Sequence, residues 1–203
     1  MVFFSGCSWL QEKDVKSSQE LARDGMDEFK AGNYNAAIEN FEKLKDWYPF
    51  DKYAILAELK IADSHYELKH YDEAVFAYKE FENLHPLNEA IPYVIYRSGL
   101  CYYEQMDSVD RDQSTARKAL ESFERLQKQF PNHEYSKRAG EHIHNCIKSL
   151  AGHEFYVGIY YYNTKHYKAA LHRFKAVLLD YPDVGIHRRA MKYIAQCEQA
   201  MVE

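Results

Sequence analysis

Residues 34–49 read YNAAIENFEKLKDWYP, and residues 71–86 read YDEAVFAYKEFENLHP. Laid over each other, they align Tyr34 with Tyr71, Ala37 with Ala74, Phe41 with Tyr78, Leu44 with Phe81 and Pro49 with Pro86. The same offsets return in residues 116–131 as Ala116, Ala119, Phe123, Leu126 and Pro131. They return again in residues 167–182 as Tyr167, Ala170, Phe174, Val177 and Pro182. Steps of three, four and three put these side chains on one stripe of an α-helix, which must be buried against a neighbour. The alanine marks where that neighbour comes close. The proline ends the helix, because it lacks an N–H to donate and disfavours helical geometry at the residue before it.

Each stripe follows a second amphipathic segment. Leu21 to Ala31 leads into Gly32-Asn33-Tyr34, and Leu56 to Leu68 leads into Lys69-His70-Tyr71. Tyr93 to Glu104 precedes the third copy and Phe155 to Asn163 the fourth. A helix, a short polar turn and a helix closed by proline form the tetratricopeptide pattern of roughly 34 residues. The expected fold is therefore an all-α tetratricopeptide-repeat solenoid of about nine helices. Such units bury their stripes only by stacking, and they coil around a concave face. The units fall at about 18–49, 54–86, 90–131 and 134–182, with a C-terminal cap helix at 185–201. Residues 1–17 read as a truncated signal remnant and tether, and residues 18–203 as the repeat domain. Two features depart from the plain pattern. The turn inside the third unit expands between Gln105 and Ser114, and Tyr135 to Leu150 predicts an extra helix that runs into the next segment as one rod.

The composition agrees and excludes other classes. Eight Gly in 203 residues is about 4%, below the ~7% of average usage, which argues against a turn-rich β-sandwich or barrel. No GxxxxGK[ST] or GxGxxG phosphate loop occurs. With 26 basic and 31 acidic residues interspersed and a net charge of −5, the chain lacks the basic patch that nucleic-acid binding requires. Cys7, Cys101, Cys146 and Cys197 lie far apart with no CxxC, so a zinc knuckle or thioredoxin-type site is not indicated. The last three sit in helix-like apolar contexts and are expected buried and unpaired.

No nucleophile or HExxH motif is present. Glu67 with His70, Glu82 with His85 and Glu141 with His144 have the spacing of di-iron bundle ligands. However, His70 falls in a turn and His85 directly before a proline, where the helix dipole favours a cation. No catalytic residue, metal or cofactor is expected. What does stand out is 18 Tyr. Tyr34, Tyr71, Tyr78 and Tyr167 belong to the stripes. Tyr93, Tyr96, Tyr102, Tyr103, Tyr156, Tyr160, Tyr161 and Tyr162 exceed that need and fall on first helices. Most are expected to be core, while a minority would line a groove. Tyr93, Tyr96, Arg97 and Tyr103 are the candidate peptide-binding or partner-binding set, since Tyr and Arg dominate binding hot spots.

The amino terminus, Met1-Val2-Phe3-Phe4-Ser5-Gly6-Cys7-Ser8, has fewer apolar residues than the ~7–15 of a signal peptide. Ser5-Gly6-Cys7 nevertheless resembles a bacterial lipoprotein box. Either the true start lies upstream, or Cys7 is an ordinary thiol. The rest of the chain is similar to the BamD/ComL family of outer-membrane protein assembly lipoproteins. The similarity lies in Gly32-Asn33-Tyr34, Ala37-Ile38, Phe41 and Tyr48-Pro49, and in Tyr71-Asp72-Glu73-Ala74 and His85-Pro86. It continues through Tyr96-Arg97-Ser98-Gly99-Leu100 with Tyr103, through His153-Glu154-Phe155-Tyr156-Val157-Gly158, and through Tyr167-Lys168-Ala169-Ala170 with Arg173. Its most specific element is Arg111-Asp112-Gln113 in the expanded turn. Locally, that triplet would cap the next helix through Asp110 or Asp112.

The resemblance implies a non-enzymatic scaffold that helps insert β-barrel proteins into the outer membrane. It implies tethering at the periplasmic face through a lipid on Cys7. It further implies N-terminal repeats that meet the aromatic-ended signal of unfolded outer-membrane substrates. The C-terminal repeats would dock a barrel-forming assembly protein and accessory lipoproteins, with no nucleic acid involved. The alternative is another bacterial tetratricopeptide adaptor, a periplasmic cell-envelope or pilus-assembly factor.

Overall fold

The computed structural model describes residues 15–202, so the lipoprotein-like Ser5-Gly6-Cys7 lies outside the described residues. Among the described residues all regular structure is helical. The elements are α1 (Ser18–Lys30), α2 (Tyr34–Trp47), α3 (Lys52–Glu67), α4 (Tyr71–Leu84), α5 (Ile91–Glu104), α6 (Ser114–Gln129), α7 (Glu134–Asn163), α8 (Tyr167–Leu179) and α9 (His187–Ala200). The fold is the expected all-α tetratricopeptide-type solenoid. The chain divides within α3 into two compact units, residues up to Ser64 and residues from His65.

Local chemistry sets the boundaries. Ser17 opens α1 with a capping box: its Oγ accepts from the Glu20 N–H, and the Glu20 carboxylate accepts from the Ser17 N–H at 2.9 Å. The residues before three of the repeat prolines, Tyr48, His85 and Phe130, leave helical geometry at φ near −130° (−133°, −128° and −133°), as the following ring demands. Pro92, the one proline outside the pattern, sits in the first turn of α5, where a missing N–H costs nothing.

The turn inside a unit is also conserved in geometry. Gly32, Lys69 and Lys165 occupy the left-handed region at φ 80°, 61° and 61°. Around each, a six-to-one bond is closed by the next residue: Asn33 N–H to Glu28 O, His70 N–H to His65 O, and His166 N–H to Tyr161 O, all 2.9 Å. Glycine enters that region without strain, whereas a lysine Cβ crowds the backbone. Lys165→Gly should therefore stabilise the protein by about 0.5–1 kcal/mol. The check is a higher urea midpoint at unchanged slope.

The stripes are buried as their spacing requires. Ala37, Phe41 and Leu44, then Ala74, Tyr78 and Phe81, then Ala119, Phe123 and Leu126, then Ala170, Phe174 and Val177 are all at most 1% exposed. Three glycines on first helices explain how the rings fit. A Cβ on Gly25, Gly99 or Gly158 would stand 2.7, 2.6 or 2.6 Å from a ring carbon of Phe41, Phe123 or Phe174. Each glycine thus lets the helix backbone lie directly on the stripe phenylalanine of its own unit.

In the first compact unit, Leu21, Ala22, Ala37, Phe41, Leu44, Ala57 and Ile61 form one core under Met26, Phe29, Tyr48 and Tyr53. In the second, α4 through α9 pack in sequential order, and α5 also touches α7. The predicted rod is present: α7 runs 30 residues without a break, about 45 Å. Its far half joins α8 and α9 around Phe155, Phe174, Val177 and Cys197. Cys101, Cys146 and Cys197 are fully buried thiols outside any disulfide among the described residues. Burial pushes the Cys146 thiol up to about 12, so it stays protonated and inert.

Candidate functional site

The tyrosine-rich helix α5 is where the sequence points first, and its side chains turn mostly inward. Arg97 lies with its guanidinium carbon 3.7 Å from the centre of the Tyr66 ring. Its Nε donates to Tyr78 Oη at 3.0 Å, and its Nη2 donates to Glu67 Oε1 at 3.1 Å. A guanidinium held by a ring face, a hydroxyl and a carboxylate fixes α5 on α4 and on the last turn of α3. Glu67 is thereby committed to an arginine, and Glu82 likewise pairs with Arg125. This is how the structure uses two of the three Glu-x-x-His carboxylates.

Tyr96 and Tyr103 face α7. Tyr96 stacks on Tyr135 at 5.2 Å, and its hydroxyl meets His142 Nε2 at 3.2 Å. The Tyr103 ring stands edge-on to His142 at 4.7 Å, and its hydroxyl accepts from Asn145 Nδ2. His142 completes the plug by lying flat on Phe123. Tyr93 reaches Tyr135 at 5.5 Å. The four candidates thus form a half-buried aromatic wall joining α4, α5 and α7. The tyrosines that stand open are Tyr156 and Tyr160, one turn apart on α7.

His142 carries a pH consequence. Its Nδ1 is buried and has no hydrogen-bond partner among the described residues. Burial holds its pKa below the usual imidazole value, against smaller opposite pulls from Glu141 and Glu104. The unfolded chain therefore takes up this proton first, near pH 6.5. Stability from this site is complete above that pH and is lost as pH falls below it. Urea midpoints at pH 7.5 and 5.5 should differ less in His142→Gln than in the parent.

The expanded turn after α5 is the most elaborately built surface feature. Gln113, only 7% exposed, donates from its amide to the carbonyls of Ser108 at 3.0 Å and Arg111 at 3.2 Å. Its own carbonyl accepts from Ser149 Oγ of α7 at 2.8 Å. A second pin joins His153 Nδ1 to Val109 O at 2.7 Å. Val109 also lies against Gly152, where a Cβ would stand 3.1 Å away. Asp112 accepts from the Ser114 N–H at 2.8 Å, the capping role the sequence suggests. Hydrogen bonding from the Ser114 side chain, and then from its N–H, holds the Asp112 carboxyl below the ordinary range. Arg111 and Asp112 remain exposed. They border an open cleft of about 690 Å³ that also receives Arg117, His153, Glu154 and Arg173. Arg173 Nη1 donates to both carboxylate oxygens of Glu154, at 2.9 and 3.2 Å.

A further groove, not apparent from sequence, lies in the first compact unit. It measures about 570 Å³ and is lined by Glu20, Arg23, Met26, Tyr53 and Leu56 among others. Its residues alternate polar and apolar along α1 and α3, so no motif marks them. No group of three or more His, Cys, Asp or Glu side chains is placed to hold a metal among the described residues.

Comparison with known proteins gives the family and the fold. The profile of the YfiO family, described as an outer membrane lipoprotein, matches residues 14–203. The outer membrane protein assembly factor BamD of Rickettsia prowazekii is 34% identical over 207 residues, covering 93% of this chain and 82% of its own. Its counterpart in Caulobacter vibrioides is 30% identical over 179 residues, covering 86% of this chain. The chain spans 59% of that relative's length. Among solved structures, the TPR2AB domain of yeast Sti1 in complex with pHSP90 superposes with a TM-score of 0.51 at 14% identity. That match covers 91% of this chain and 70% of the other, a likeness of fold.

Proposed function

Because the chain belongs to the YfiO family of outer membrane lipoproteins, we propose that it is a non-enzymatic scaffold of the machinery that assembles β-barrel proteins into the outer membrane. The observation that carries this reading is the Arg111-Asp112-Gln113 turn. A loop whose buried glutamine and two pins fix it to α7, while its charged residues stay outside, has the form of a docking surface. Arg111 and Asp112 meet complementary charges on the barrel-forming assembly protein, with accessory lipoproteins on the C-terminal helices. Exposed charges of this kind set partner choice and register.

Tyr93, Tyr96, Arg97 and Tyr103 act in this reading as positioning residues. They hold α5 against α4 and α7, so that the loop which follows is presented in one orientation. The groove of the first unit receives the aromatic-ended segment of an unfolded outer-membrane substrate. Met26, Tyr53 and Leu56 offer apolar contact there, and Arg23 offers a partner for a terminal carboxylate. Cys7 carries the lipid that tethers the chain to the periplasmic face of the outer membrane. No bond is made or broken, and no cofactor is called for.

Affinity purification of the chain from detergent-solubilised envelopes tests the scaffold role. A large barrel protein with periplasmic repeats should co-purify in stoichiometric amount. Recovery of pilus or cell-wall factors in its place would contradict the proposal. Labelling with an alkyne analogue of palmitate in cells tests the anchor. Label should appear on the parent and vanish in Cys7→Ser.

A further inference from the structure

The turn between α2 and α3 carries an exposed aromatic tip that neither the repeat core nor the docking surfaces use. Trp47 is 52% exposed, and Phe50 projects fully into solvent across Pro49. Elsewhere the α2 stripe is completely buried, so these rings are not spill-over from a loosely packed core. The turn is also closed by hydrogen bonds of its own. Asp51 accepts from the Tyr53 N–H at 2.9 Å, and the Asp51 N–H donates to Tyr48 O at 3.0 Å.

The chain's amino-terminal exit is fastened to this same turn. Tyr48 Oη donates to Lys16 O at 2.9 Å, and Ser18 Oγ donates to Asp51 Oδ2 at 2.9 Å. Eight residues lie between Cys7 and Lys16, and the nine steps from one to the other reach about 30 Å at full extension. A lipid on Cys7 therefore holds the Trp47–Phe50 turn close to the leaflet it enters. Under such a tether the local concentration is in the millimolar range, and a weak surface contact is populated. Tryptophan beside tyrosine, with an apolar ring at the tip, is the composition that settles at the headgroup level of a bilayer. The charges nearest in sequence are Lys43, Lys45 and Lys52 against Glu42, Asp46 and Asp51. That balance favours insertion of rings over attraction to anionic lipid.

We propose that the Trp47–Phe50 turn is a membrane-contact surface, seating both rings in the headgroup region of the leaflet that holds the Cys7 lipid. This rests on the anchoring proposed above and adds which face of the first unit meets the membrane. The orientation leaves the groove lined by Arg23 and Tyr53 on elements already aligned by the anchor.

The test uses the full chain with Trp9→Phe, which leaves Trp47 as the one indole. Cys7 is coupled to a maleimide-bearing lipid in phosphatidylethanolamine–phosphatidylcholine vesicles, since the other three cysteines are buried. Trp47 emission should shift to shorter wavelength and be quenched at least about twofold by brominated acyl chains. The quenching should be the same at low and high salt. Phe50→Ser, whose side chain makes no core contribution, should keep its helicity and lose most of the shift. An unchanged Trp47 spectrum on coupled vesicles overturns the surface and leaves the turn to a protein partner. Absence of palmitate label on Cys7 in cells overturns the anchor instead, and the two outcomes are read independently.

Discussion

Phe123→Ala lowers the stability of the repeat domain by about 3–5 kcal/mol. The ring is fully buried and sits at the junction of three helices. The Gly99 backbone lies so close that a Cβ there would come within 2.6 Å of it. His142 stacks on it at 5.2 Å, and Tyr96 and Tyr103 pack at 5.9 and 6.5 Å. Truncation removes the transfer energy of the ring and leaves a cavity that rigid neighbours cannot close. It also loosens the plug that joins α5 to α7. Since net stabilities are about 5–15 kcal/mol, this is a large fraction of the total. For a chain of this size the melting temperature falls by roughly 6–20 °C. Far-ultraviolet circular dichroism melts give the number, with Phe76→Ala as control. Phe76 is exposed on α4 of the preceding unit, and its loss should change stability by no more than about 0.5 kcal/mol. A fall below about 1 kcal/mol for Phe123→Ala would contradict the packing described.

The second large effect is functional. Gln113→Leu keeps the side-chain volume but removes every hydrogen bond the amide makes. The Arg111 carbonyl loses its donor, the Ser108 carbonyl keeps only the Arg111 N–H, and the Ser149 hydroxyl loses its acceptor. Each lost hydrogen bond removes about 0.5–1.5 kcal/mol, and burying a leucine beside exposed loop carbonyls leaves the nine-residue loop with its pin at His153. The turn therefore detaches from α7 while the stripes, which it does not touch, stay packed. Recovery of the barrel-forming partner in affinity purification should drop at least about tenfold, a loss of 1.4 kcal/mol or more in binding. Helicity by circular dichroism should stay unchanged. Full partner recovery with Gln113→Leu would remove the turn from the docking surface.

The helical frame is legible in the sequence because its signals are local. Tyr34, Ala37, Phe41, Leu44 and Pro49 declare a helix, its buried face and its end without reference to anything distant. The same offsets repeated in three more units imply the stacking. The long α7 is legible for the same reason, through the absence of a proline between Pro131 and Tyr181. The candidate surfaces are less so. Arg97 lies among tyrosines in the chain, yet its role depends on Tyr66 and Glu67, thirty residues earlier, closing over it. Helical periodicity tells which residues share a face, not which neighbour covers that face. Gln113 reads as a polar loop residue, and only the arrival of Ser149 from α7 makes it buried. Low glycine content counts against β-structure, but the pairing of Gly25, Gly99 and Gly158 with stripe phenylalanines requires the packed helices. The left-handed Lys69 and Lys165 carry no signal, because lysine is an ordinary turn residue in sequence and a strained one in geometry.

The central proposal, a scaffold role in outer-membrane β-barrel assembly, is tested most directly by conditional depletion. The chain is removed from growing cells, and outer-membrane proteins are quantified by mass spectrometry against total envelope protein. The account predicts a broad fall in β-barrel proteins, restored by the parent and not by Gln113→Leu, while other envelope lipoproteins hold their levels. Unchanged β-barrel levels after complete depletion would contradict it.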